Sequence, residues 1–291
     1  MTLGDGGGRR FALETVIRQG LAITWHHLFR FVAIVLAVGI PVALLTALAR
    51  VLLASGVRPT ATGSAIDFGS NASAVLFVAV ASILALLAYL LTQAAIVFAT
   101  LQVLRGRSAG IGEALRQALS AVPRLLPAGL MLFVGGGFVA GLIGFVVVQL
   151  FGGAPVGGAL APEARNALGV FSLVVMVLAL TIITLAWVFV PAIVIERAGP
   201  IACFKRSLAL TKGRRWPVLA IILMLTLANV LTSVLTRTIM TEAAPTGGAV
   251  LNALAALFFM VLAAVLSAVG YFHLRAEKEG RALDAVVRSF D

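Results

Sequence analysis

The richest concentration of groups able to do chemistry lies at Lys205, Arg206, Lys212, Arg214 and Arg215. A guanidinium grips a phosphate through paired N–H bonds and an ammonium attracts it as a point charge. These five are therefore expected to contact an anionic lipid headgroup or another phosphate, with topological anchoring as the competing explanation. Tyr89, Gln93 and Gln102 form a second set, polar side chains in an apolar stretch. They are read as a polar lining, against the simpler role of bonding one helix to another. Catalytic constellations are not evident. His26 and His27 are adjacent and point to different helix faces, and His273 is far along the chain, so no metal site is expected. Cys203 is the sole cysteine, which excludes an intrachain disulfide and zinc-ligand spacing. Serines lack a nucleophile-elbow motif, and Thr211-Lys212-Gly213 has the wrong order for a phosphate-binding loop. The expectation is no enzyme and no cofactor, an intramembrane hydrolase being the least supported reading.

The elements that carry these groups follow from composition. The chain is 61% hydrophobic and 11% charged, with mean hydropathy +1.11, whereas a soluble domain carries roughly 25% charged residues. Apolar runs long enough to cross ~30 Å of hydrocarbon occupy 31–53, 74–101, 126–151, 168–195, 216–235 and 251–272. Backbone groups have no water partner in lipid, and continuous rather than alternating apolar character favours helices over a barrel. The expected fold is all-α, a polytopic membrane bundle of six transmembrane helices. Of the 22 Lys and Arg, 18 fall in the N-terminal segment, the second and fourth loops and the C-terminal segment. By the positive-inside rule both termini are then cytoplasmic. The net charge of +11 is read as attraction to anionic headgroups rather than to nucleic acid. Arg9-Arg10 is not followed by a signal-peptide core, so no cleaved signal is expected.

Each basic segment also holds an amphipathic stretch ahead of a span. Leu13, Ile17 and Leu21 form the apolar stripe of the first; Ile111, Leu115, Leu119 and Val122 that of the second; Ile201, Phe204 and Leu208 that of the third. Arg18-Gln19-Gly20-Leu21, Arg116-Gln117-Ala118-Leu119 and Lys205-Arg206-Ser207-Leu208 occupy equivalent places. The expected organisation is a polar tail over 1–10, a membrane domain over 11–274 and a cytoplasmic tail over 275–291. Within the domain a threefold repeat spans about 11–101, 111–195 and 200–273, each unit being an interfacial helix lying in the headgroup plane, a span, a turn and a span. Gly137 and Gly141 form a GxxxG pair for close helix packing, within the chain or between copies in a homo-oligomer. Pro41 and Pro191 are expected to kink their spans.

Residues Val190-Pro191-Ala192-Ile193-Val194-Ile195-Glu196-Arg197-Ala198-Gly199-Pro200, followed by Lys205-Arg206-Ser207-Leu208-Ala209-Leu210-Thr211-Lys212-Gly213-Arg214-Arg215-Trp216, resemble the bacterial six-helix membrane family related to the membrane domain of glycerophosphoryl diester phosphodiesterases. The resemblance implies membrane topology and a phospholipid context. Longer relatives carry a soluble catalytic barrel after the membrane domain; this sequence ends at Asp291, so the resemblance carries over no catalytic residue. The function expected is a non-enzymatic scaffold or partner module in envelope or phospholipid physiology, its partners membrane lipids and a protein or second copy. The alternative is a small transporter or lipid-handling permease.

Overall fold

A computed structural model describes the backbone of residues 12–54, 72–107, 110–150, 162–196, 199–240 and 245–288; side chains at 48–54, 72–79, 82, 131–150, 162–169, 237, 239–240, 245–246, 249 and 281–288 lie outside the description. All elements among these residues are helices: α1 (Leu13–Ala54), α2 (Ala72–Leu104), α3 (Ile111–Leu150), α4 (Pro162–Leu185), α5 (Phe189–Glu196), α6 (Pro200–Thr211), α7 (Arg215–Met240) and α8 (Pro245–Arg288). Five stretches among the described residues are long and apolar enough to cross a bilayer: Leu13–Ala47, Ile83–Leu104, Val170–Glu196, Arg215–Thr236 and Val250–Gly280. The remaining expected span, 126–151, falls mainly on the second half of α3. Its side chains past Met131, including the Gly137 and Gly141 positions, lie outside the described residues.

The amphipathic stretches take three forms: the third is a separate helix, α6, the first is set off from its span by a kink at His27, and the second runs on into the span of α3. The register at their starts is nonetheless shared. Val16 N–H donates to Ala12 O at 3.2 Å, Ala114 N–H to Gly110 O at 3.0 Å and Cys203 N–H to Gly199 O at 3.0 Å. These are equivalent first-turn bonds in the motif alignment. A discontinuity then recurs near one place. α1 leaves helical angles at His27 (φ −116°, ψ 15°), α3 carries Pro123 and Pro127, and α6 ends before Gly213 at φ +84°. That left-handed conformation favours glycine, which has no Cβ to collide with the backbone.

The large-residue stripes are the more exposed ones: Leu21, Leu119 and Ile201 are all exposed. The faces turned inward carry mostly smaller residues, Val16, Gly20 and Thr24 on α1, Ala114, Ala118 and Ala121 on α3, and Cys203, Ser207, Leu210 and Thr211 on α6. In a bilayer a leucine gains nothing by leaving lipid for protein, whereas small residues let backbones approach and gain dispersion contacts. Gly20 illustrates the closeness, since a Cβ there would overlap the Leu266 side chain on α8. α6 packs through Ser207 into the bundle and leaves Ile201 exposed.

At the centre, α2 contacts α1, α3, α5 and α8, and α8 contacts α1, α2, α5, α6 and α7. Ala94, Ala95, Ala99, Ala118, Ala192, Ala264 and Ala268 are all buried between them. α4 and α5 are two halves of one expected span, interrupted at Ala186–Val188. Pro191 has no N–H to offer the Trp187 carbonyl, which loosens the ladder there. Phe189 N–H instead donates to Ala186 O at 2.9 Å, so the Leu185 carbonyl loses its usual helical donor. Ser207 Oγ of α6 supplies one at 2.7 Å. Pro41 does not act this way, as α1 keeps helical angles through it and departs from them at His27.

Candidate functional site

The basic ends of the helices meet in one region, and its best-defined feature is a closed ring of charged and phenolic groups. Glu196 closes α5, and Arg206 Nε of α6 donates to its Oε1 at 3.0 Å. Tyr271 OH of α8 donates to the same oxygen at 2.9 Å. Arg275 Nη1 donates to Tyr271 OH at 3.2 Å, and Arg275 Nε to Glu279 Oε2 at 2.7 Å. Arg206 Nη2 also donates to Glu279, which completes the circuit. Tyr271, Arg275 and Glu279 present one face of α8 because they follow at intervals of four. The hydrogen bond from Glu196, with the burial of the site working against it, holds the Arg206 guanidinium above its ordinary range. With its two carboxylates and two guanidiniums, the ring has no net charge.

Beside it, Arg214 Nη2 donates to Glu277 Oε1 at 2.7 Å, and the Glu277 side chain is only 4% exposed. Lys278 Nζ donates to the carbonyl of Ala209 in α6. Three consecutive polar residues of α8 thus hold the loop and helix that precede α7. The helix runs unbroken through position 275 to Arg288, so the expected tail begins inside α8.

These contacts separate the five cations proposed as a phosphate cradle. Arg206 and Arg214 are turned to carboxylates, whereas Lys205, Lys212 and Arg215 are exposed. One shared cradle is not assembled. The expected lining of Tyr89, Gln93 and Gln102 separates as well. Tyr89 is 52% exposed, Gln93 is buried, and Gln102 lies at the basic end of α2. Gln93 and Gln102 are nine positions apart, which at 100° per residue puts them on opposite faces.

Two further junctions between the exit of one span and the entry of another carry the residues equivalent to Arg206. Gln19 of α1 meets α8, where His273 Nε2 donates to its Oε1 at 2.8 Å. Gln117 of α3 meets α2 and α5 around a cavity of about 260 Å³, lined by Phe98, Leu101, Gln102, Arg105, Gln117, Val194 and Ile195. Gln102 Oε1 itself is enclosed by protein and has no hydrogen-bond partner among the described residues. Gln117, Arg105 and the α8 trio of Tyr271, Arg275 and Glu279 were not singled out from sequence as site residues. Their signals were present: Gln117 aligns with Arg206, and the trio has one-face helical spacing just past an apolar run. Among the described residues no group of His, Cys, Asp and Glu is placed to hold a metal.

A protein-family model described as Domain of unknown function (DUF7847) matches residues 113–276, more than half of the chain. No curated protein and no solved structure matches.

Proposed function

The chain belongs to the DUF7847 family, and within it we propose a non-enzymatic integral membrane module that serves as a scaffold or partner in bacterial envelope and phospholipid physiology. The observation that carries this reading is the division of the molecule. Its interior is packed by alanine, valine and leucine, and its paired charges gather at one end in a neutral ring and an adjoining ion pair. Such a build favours a fixed shape over an aqueous path. Six spans in a threefold repeat are part of the proposal. They are supported by the shared first-turn bonds at Val16, Ala114 and Cys203 and by the equivalent placing of Gln19, Gln117 and Arg206. The basic end faces the cytoplasm of the inner membrane, where Lys205, Lys212 and Arg215 meet anionic headgroups. The resemblance around Glu196 and Arg206 supports the phospholipid context.

A small transporter is the second reading, favoured by the interruption between α4 and α5. Broken helices line transporter binding sites, and Trp187 Nε1 at the break is buried without a hydrogen-bond partner among the described residues. Two measurements test the choice. Reporter fusions at both termini should report cytoplasm, and liposomes containing the purified chain should leak ions, small anions and labelled lipids no faster than protein-free liposomes. Periplasmic reporters would overturn the topology, and flux that depends on Trp187 would move the assignment to the transporter.

A further inference from the structure

The three entering helices are balanced differently in charge. α1 and α3 each carry an acid in the first turn, Glu14 and Glu113, ahead of the equivalent cations Arg18 and Arg116. α6 has none there, and the segment 200–216 holds five cations and no acid. Two of the five are neutralised from α5 and α8, Arg206 by Glu196 and Glu279, and Arg214 by Glu277. Lys205, Lys212 and Arg215 stay exposed and, among the described residues, are in no ion pair. Ile201, Lys205, Leu208 and Lys212 recur at intervals of four, three and four, which places them on one helix face. The opposite face, Cys203, Ser207, Leu210 and Thr211, is buried in the bundle. Outward, Ile201 is 65% exposed, Leu208 is half-buried between the two lysines, and Trp216 is 81% exposed just past Arg215. Hydrocarbon alone is a poor surrounding for unpaired ammoniums, and water alone is a poor one for a clustered isoleucine and tryptophan. The boundary between headgroups and acyl chains satisfies both.

We propose that the outward face of α6 binds a phospholipid carrying two phosphates, one at Lys205 and one at Lys212, with Ile201 and Leu208 against the adjoining hydrocarbon. Seven residues of helix separate the two lysines by about 10 Å. Leu208 lies between them, so the ammoniums meet separate phosphates rather than share one. Their flexible four-carbon stems take up the difference between that spacing and the separation of two phosphates joined by a short carbon bridge. Basic sites on the cytoplasmic side of membrane helices hold multiply charged headgroups in this manner. Arg215 adds attraction at the end of the face, and Trp216 sets its ring at headgroup level. The face is held in place from behind, since Ser207 Oγ donates to Leu185 O at 2.7 Å and Arg206 Nε to Glu196 Oε1 at 3.0 Å. The inference deepens the membrane-module reading and rests on it, because it needs α6 to lie at a headgroup surface.

The test uses the full chain in phosphatidylcholine nanodiscs, with lipid affinity read by native mass spectrometry. Cardiolipin supplies two phosphates on one lipid; phosphatidylglycerol supplies one and is added at twice the molar amount to match the charge. Cardiolipin should bind about tenfold more tightly, the equivalent of ~1.4 kcal/mol. Lys205→Gln and Lys212→Gln, both at exposed positions, should each cut that preference to about twofold, and Lys205→Arg should keep it. Arg116→Gln removes the equivalent cation of α3, which has Glu113 one turn before it, and should leave the preference unchanged. Equal affinity of the unaltered chain for the two lipids would overturn the site, as would a full preference in the Lys205→Gln, Lys212→Gln double variant. An equal loss on Arg116→Gln would also overturn it, by tracing the preference to overall positive charge instead of this face. A chain that inserts with cytoplasmic termini but shows no preference would sink this inference alone, while failure to insert would sink the membrane-module reading with it.

Discussion

The junction at Glu196 and the junction at Gln102 are built from equivalent parts and finished in opposite ways. At the first, a carboxylate ends the span and an arginine enters beside it, and α8 brings Tyr271, Arg275 and Glu279 to complete a ring. At the second, carboxamides stand in both places, and a cavity remains where the ring would be. Charge explains the contrast. A half-buried carboxylate is costly without a cation, so Glu196 is matched by its partners. A glutamine is neutral, and its unmet hydrogen bond is far less costly than an unpaired charge. The saturated junction sets the shape.

The largest effect should come from Glu196→Ala. It removes the acceptor for both Arg206 Nε and the Tyr271 hydroxyl, and charge-assisted bonds contribute about 1.5–3 kcal/mol each. Partial exposure of Arg206 and its remaining bond to Glu279 reduce the sum, and a loss near ~3 kcal/mol is expected. Unfolding of the detergent-solubilised chain by thermal or denaturant titration reads it. Gln102→Ala at the other junction should change stability by less than ~1 kcal/mol. Equal losses at the two places would erase the distinction between them.

Arg214→Gln comes next. Glu277 is nearly inaccessible to solvent, so loss of the guanidinium should cost ~2 kcal/mol. Lys212→Gln, at an exposed position two residues earlier, should stay within ~0.5 kcal/mol. The same unfolding assay compares them. A matched pair of losses would mean that Arg214 acts as a diffuse positive charge rather than as the partner of one carboxylate.

Much of this architecture could be read from the residues. Apolar runs separated by arginine clusters announce helices in lipid, and Gly199-Pro200 and Gly213 mark the ends of α6, where the structure has Pro at the first turn and a positive φ at the last. The inward faces of the amphipathic stretches were the less legible ones, for a physical reason. Periodicity identifies the large apolar residues, but in a bilayer those residues are equally at home outside. The inward face is carried by Gly20, Ala118 and Ser207, whose small size is the useful property and leaves a faint pattern. The interruption at 186–188 was foreshadowed by Pro191, although not its rescue by Ser207, a contact between residues 22 apart. The ring was hidden because Glu196 and Tyr271 are separated by 75 positions, and only packing reveals that they meet.

Ser207→Ala should show a smaller effect, ~1 kcal/mol of destabilisation, because it withdraws the donor from the Leu185 carbonyl without opening much space. The reverse change at the equivalent place, Ala118→Ser, has no freed carbonyl to satisfy, since α2 is continuous over Ala72–Leu104. It should give no gain. Stabilisation by Ala118→Ser would show that a hydroxyl is favoured at this register for a reason unrelated to the broken span.

The finest test converts one junction into the other. Gln102→Glu alone places a carboxylate in the cavity with only Arg105 near it, and Gln117→Arg alone places a second guanidinium beside Arg105, so each should be neutral or mildly destabilising. Together they recreate the Glu196–Arg206 pairing at the equivalent junction. A double-mutant cycle should then give a favourable coupling of ~0.5–1 kcal/mol, modest because the cavity opens to solvent at Arg105. Contacting residues couple and distant ones add, so the sign and size of this number report directly on whether positions 102 and 117 face one another as 196 and 206 do. Zero coupling would show that the resemblance between the junctions ends at the backbone.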